Sequence, residues 1–127
     1  YKGRHELYVA KKEAQKNMVR IKKGDTKSME MIGWGTGGSF RRNIEKVKEY
    51  ADIQYVVDSR QDKWGKQFAE NVTCISPEQL KNKKDVTVLI MVDSTVSAFQ
   101  IVEQLMEMGI YSFEYVDNYV KFIESLD

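Results

Sequence analysis

The chain has 127 residues, 42% of them hydrophobic, which suits one core built without disulfide or metal staples. Lysine and arginine number 20 against 19 aspartates and glutamates, so no net field draws in nucleic acid or an anionic membrane. One cysteine excludes an internal disulfide, and one cysteine with one histidine cannot make a CxxC or HExxH zinc site. No apolar run approaches the roughly 18 residues of a membrane span, and nothing resembles a signal peptide. These features lead to the expectation of a cytoplasmic, metal-free protein.

Residues 1–28 read as a helical arm or linker. Leu7, Ala10, Ala14, Met18 and Ile21 recur at steps of three and four on a lysine-rich segment that Gly24 would end. The stripe suits packing on its own domain, on a second copy, or on a neighbouring domain.

From residue 29 the pattern becomes strand, helix, strand. "MEMI" is a short strand running into a glycine loop. "SFRRNIEKVKEYA" then places Phe40, Ile44, Val47 and Ala51 on one helical face. "DIQYVVD" and "VTCI" are the next strands, the second carrying Cys74 as a buried, inert residue. In "SPEQLK", Ser76 is a helix N-cap, Pro77 takes the first helical position and Gln79 completes a capping box. "DVTVLIMVD" is an apolar run of strand length, expected to lie centrally in a parallel sheet covered on both faces. "STVSAFQIVEQLMEMG" follows as a helix capped by Ser94 or Thr95, with Val96, Phe99, Val102 and Leu105 or Met106 inward and Gly109 as its stop. "YSFEYV" is the last strand and "DNYVKFIESLD" a terminal helix. The aromatic set Tyr111, Phe113, Tyr115, Tyr119 and Phe122 reads as core or dimer surface.

Gly33, Gly35 and Gly38 form a complete GxGxxG between a strand and a helix. An acidic residue, Asp58, ends the second strand about 20 residues further on, as a dinucleotide-binding fingerprint requires. The first glycine permits a tight turn, the second lets a pyrophosphate approach the backbone, and the third lets helix and strand pack closely. Amides at the helix start would face the phosphates. The binding residues expected on this basis are Gly33, Gly35, Thr36, Gly37, Gly38 and Ser39 of the loop, then Asp58, Ser59 and Arg60, and Asp93 at the end of the central strand. Asp58 suits a ribose diol and disfavours a 2′-phosphate, so NAD or a nucleoside diphosphate is favoured over NADP, although Arg60 weakens that preference. Arg41 and Arg42, in the first turns of the helix, could reach a diphosphate, but are expected to be solvated surface. Trp34, in a variable position of the loop, would either stack on a base or block the site if it pointed into the crevice. Gly35→Val is expected to abolish nucleotide binding and leave the fold largely intact.

The succession implies an α/β protein with a Rossmann-like open parallel sheet of order 3-2-1-4-5, helices on both faces and an N-terminal helical arm, the domain occupying residues 29–127. Over residues 29 to about 115, the glycine loop, "VVDSRQDKWGK", "ISPEQL" and "QLMEMGI" resemble the small Rossmann-type domain of bacterial polysaccharide and glycan biosynthesis proteins. That module stands at the N-terminus of sialic-acid and bacillosamine-pathway acetyltransferases and is fused to other sugar-modifying enzymes. The resemblance implies that Gly35, Gly37 and Gly38 approach nucleotide-sugar phosphates with Asp58 near the ribose or base, and that a glycan-modifying domain is a partner. The acetyltransferases carry a β-helix and a histidine in or beside the loop; here there is no β-helix, and Thr36 and Ser39 stand in the loop, so acetyl transfer is not implied. Trp64 and Gly65 are expected to form a turn that covers the sheet edge.

The expected function is binding of a nucleotide or nucleotide sugar without a catalytic set. The alternative is a non-binding Rossmann-like interaction module that dimerises or docks through the arm and the aromatic C-terminus.

Overall fold

The computed structural model describes residues 30–83 and 85–126; the arm assigned to residues 1–28 lies outside them. In chain order the elements are β1 (Glu30–Trp34), α1 (Gly38–Lys48), β2 (Ile53–Val57), a 3-10 turn (Gln61–Lys63), β3 (Gln67–Ala69), β4 (Val72–Ile75), α2 (Pro77–Lys81), β5 (Val86–Ile90), α3 (Thr95–Glu107), β6 (Phe113–Tyr115) and α4 (Val116–Glu124). Among the described residues no helix is long and apolar enough to cross a membrane.

The strands form one sheet in the order β3-β4-β2-β1-β5-β6. β4, β2, β1, β5 and β6 are parallel neighbours, whereas β3 runs antiparallel to β4. The expected purely parallel, five-stranded sheet therefore needs correction. The parallel strands succeed one another as predicted, but β3 adds a sixth strand at the edge and makes the sheet mixed. A strand of three residues set between turn-forming Gly65 and Asn71 is too short to show an alternating pattern, and the segment reads as loop. In the structure both flanking residues have positive φ, 84° at Gly65 and 60° at Asn71.

Helices cover both faces, as two apolar clusters show. On one face, Phe40, Ile44 and Val47 of α1 and Val116, Tyr119 and Ile123 of α4 pack with Met31, Ile53, Val56, Val72, Leu89 and Met91. On the other, Leu80 of α2 and Ala98, Ile101, Val102 and Leu105 of α3 pack with Ile32, Trp34, Val57, Val88, Ile90 and Phe113. All five residues of β5 are buried, as its central place requires. The inward face of α3 differs from expectation, because Val96 is 67% exposed. It sits in the first turn of the helix, and the covering stripe begins two residues later at Ala98. Tyr111 is also exposed, whereas Phe113 and Tyr119 are core.

Local signals set the helix ends. Ser76 accepts the Gln79 amide at 3.2 Å while the Gln79 side chain accepts the Ser76 amide at 3.0 Å, a complete capping box ahead of Pro77. Ser94 caps α3 through the Ser97 amide, and Gly109, at φ 79°, follows its last turn.

No α-helix spans the connection from β2 to β4. The 3-10 turn and β3 take its place, and Phe68 of β3 packs on the α1 side of the sheet. That substitution brings the turn residues Lys63 and Trp64 to the carboxyl end of β2, beside the glycine loop.

Candidate functional site

β1 continues through α1 towards β2 on one side, and β5 continues through α3 towards β6 on the other. The chain thus departs in opposite directions from two adjacent strands, and a crevice opens at their carboxyl ends. The glycine loop forms its floor. It is tied to both neighbours, by the Gly35 amide to the Val57 carbonyl at 2.9 Å and the Met91 amide to the Trp34 carbonyl at 2.8 Å.

The glycines divide their work differently from the sequence expectation. Gly33 is within β1, where a side chain would press on Met91 Cε at 3.1 Å. Gly35 has φ 118°, and a Cβ there would lie 2.2 Å from the Met91 carbonyl oxygen. Its lack of a side chain is therefore a condition of β1–β5 packing, and the expectation that Gly35→Val spares the fold is overturned. Gly37, the N-cap of α1, is exposed, and a Cβ there would meet nothing within 4 Å. Of the loop glycines, it is the one that faces open space.

The N-terminus of α1 has no cap or acidic residue of its own: Gly37 offers no side-chain cap, and the first turn holds no acidic residue. The first helical bond runs from the Arg41 amide to the Gly37 carbonyl at 3.0 Å, so the amides of Gly38, Ser39 and Phe40 have no acceptor within the helix. Charges of both signs gather at this end: Arg42 Nη1, Asp93 Oδ2 and Arg41 Nη2 lie 3.0, 3.7 and 4.0 Å from the Cβ position of Gly38. Arg42 also pairs with Asp93 beyond β5. Both partners are well exposed, so the pair contributes little to stability.

On the other side of the loop, the buried Thr36 hydroxyl donates to Asp58 Oδ2 at 2.8 Å and accepts from Lys63 Nζ at 2.9 Å. Lys63 Nζ is also 3.6 Å from Asp58 Oδ2. The second carboxylate oxygen accepts the Arg60 amide at 2.9 Å, and the Asp58 carbonyl accepts Trp64 Nε1–H at 2.7 Å. Asp58 thus fastens the glycine loop to the β2–β4 connection, with Lys63 as the local cation. Ser59 and Arg60 occupy the exposed turn, where the Arg60 guanidinium pairs with Asp62 at 3.1 Å.

The structure brings Thr36, Gly37, Gly38, Ser39, Asp58 and Asp93 around one crevice and leaves Gly33 and Gly35 beneath it as packing positions. Trp34 neither stacks nor blocks, because at 4% exposure it belongs to the core. Lys63 and Trp64 were missed as site residues. No periodicity marks them, and only the absent crossover helix places them here. Burial pushes the Cys74 thiol above its ordinary range, with the Asp58 charge as a second cause.

An open hollow of about 810 Å³ lies at the opposite end of the sheet, lined by Tyr50, Asp52, Gln54, Tyr55, Gln67 and Thr73 among others. Volume favours the hollow. The crevice nevertheless carries the functional reading, because there an uncapped helix start lies beside exposed Gly37, with Arg41 and Arg42 at the neighbouring Gly38. The chain matches no protein-family model and no curated protein.

Proposed function

We propose that the chain is a nucleotide- or nucleotide-sugar-binding module of a bacterial polysaccharide or glycan biosynthesis protein that relies on another domain or protein for chemistry. One observation carries the reading: at the start of α1 Gly37 offers no side-chain cap and its backbone is open to approach, while the Arg41 and Arg42 guanidinium groups gather with the Asp93 carboxylate at the neighbouring Gly38. A diphosphate there would accept a hydrogen bond from the Gly38 amide, helped by the helix dipole, with the amides of the buried Ser39 and Phe40 behind it. Arg41 and Arg42 would neutralise its charge, Arg42 giving up Asp93 to do so. Lys63 stands at the ribose side of the loop, and each Asp58 oxygen keeps acceptor capacity for a diol.

The alternative, an interaction module without a ligand, is supported by the internal satisfaction of Asp58, whose two oxygens are both bonded. Amide chemical shifts recorded during a titration with UDP separate the two. Binding at the loop moves the amides of Gly37 to Phe40 together with that of Lys63. A spectrum that stays unchanged, or moves only around Gln54 and Thr73 at the far hollow, contradicts the proposal.

A further inference from the structure

We infer that Trp64 is the platform on which the base of the bound nucleotide stacks; this inference rests on the nucleotide-binding reading. The chain has two tryptophans, and the structure gives them opposite positions. Trp34 is in the core, whereas Trp64 is 37% exposed. An indole left in contact with water forgoes much of its favourable burial, and Trp64 is held there firmly. Its backbone amide donates to the Gln61 carbonyl at 3.2 Å, its indole N–H to the Asp58 carbonyl at 2.7 Å, and the next amide, at Gly65, to the Cys74 carbonyl at 2.8 Å.

The indole's one polar atom is thus satisfied inside the protein, on the same residue whose carboxylate bonds Thr36 of the glycine loop. The ring is left as an apolar surface of fixed position at the rim where a ribose beside Asp58 would project its base. Such a surface reads the face of a base, which every nucleobase has, and leaves its edge unread. The ligand class is therefore nucleoside diphosphates with little choice of base, purines binding somewhat tighter for their larger area.

The test combines tryptophan fluorescence and calorimetry, with UDP, ADP and inorganic pyrophosphate as probes. UDP and ADP are expected to quench the exposed tryptophan, and pyrophosphate to bind without quenching. Trp64→Leu should weaken UDP and ADP about tenfold, leave pyrophosphate unchanged, and abolish the quench, since only Trp34 remains. Trp64→Phe keeps a ring and should keep most of the affinity, with circular dichroism confirming that both variants fold. If Trp64→Leu binds UDP as the wild type does, or if UDP binds no tighter than pyrophosphate, the platform is refuted and the phosphate site stands. If neither UDP nor pyrophosphate binds the wild type, the nucleotide reading fails and the platform with it.

Discussion

Gly35→Ala should damage the fold itself. The added Cβ would lie 2.2 Å from the Met91 carbonyl oxygen, so β5 or the loop must shift by roughly 1 Å in a close-packed region. The neighbour is backbone and cannot rotate aside. The conformation, φ 118°, costs a residue with a side chain about 1–3 kcal/mol. Overpacking adds about 1–3 kcal/mol, for a total near 4 kcal/mol. In urea unfolding with a slope of about 2 kcal/mol/M, the midpoint should fall by roughly 2 M. Gly37→Ala is the control: its Cβ meets nothing within 4 Å, and its stability should stay within about 0.5 kcal/mol of the parent. Equal stability of the two variants, or a loss below about 1 kcal/mol for Gly35→Ala, would refute the division of labour between these glycines.

Asp58→Ala should destabilise the chain by about 1–3 kcal/mol, because Thr36 and the partly buried Lys63 lose a partner. It should also weaken ribose-containing ligands more than pyrophosphate; equal losses would remove Asp58 from the ribose site. Ser76→Ala breaks the capping box and should cost about 1 kcal/mol in thermal unfolding, with no change meaning that α2 is held by Leu80 alone. Burial pushes the Tyr119 phenol up to about 12, above about 10 in the unfolded chain. The raised value means that its contribution is complete below pH 10 and disappears as pH rises towards 12. Stability should therefore fall by about 2–3 kcal/mol across that window, and Tyr119→Phe should flatten the decline; an unchanged slope would place its cause elsewhere. Cys74, buried and with its thiol shifted upward, should resist alkylation until the protein unfolds. Rapid labelling under native conditions would contradict the β4 packing.

The strand–helix alternation was readable because the parallel strands carry compact apolar runs and two of the helix starts, at Ser76 and Ser94, carry capping signals. The glycine spacing located the loop, but spacing is blind to which glycine touches what. Only the path of β5 shows that Gly35 lies against Met91 and that Gly37 faces open space. The connection from β2 to β4 was illegible for a different reason. A 3-10 turn and a three-residue strand have no periodicity, so nothing in "DSRQDKWGKQFA" announces that Lys63 reaches Thr36 or that the Trp64 indole bonds the Asp58 carbonyl. Whether Trp34 points into the crevice was left open by spacing alone; it belongs to β1, and strand alternation sends it into the core. Val96 shows the limit of stripe-counting at a helix end, where the first turn projects past the surface it would cover.

The central claim, that the crevice at Gly37 holds the phosphates of a nucleotide, is tested most directly by calorimetric titration of UDP into the wild type and into Gly37→Val, both checked for equal thermal stability. The account predicts saturable binding to the wild type and none to the variant, whose side chain would occupy the open space beside Gly37 at the start of α1. No heat from the folded wild type at millimolar ligand, or equal affinity in the two proteins, would contradict it.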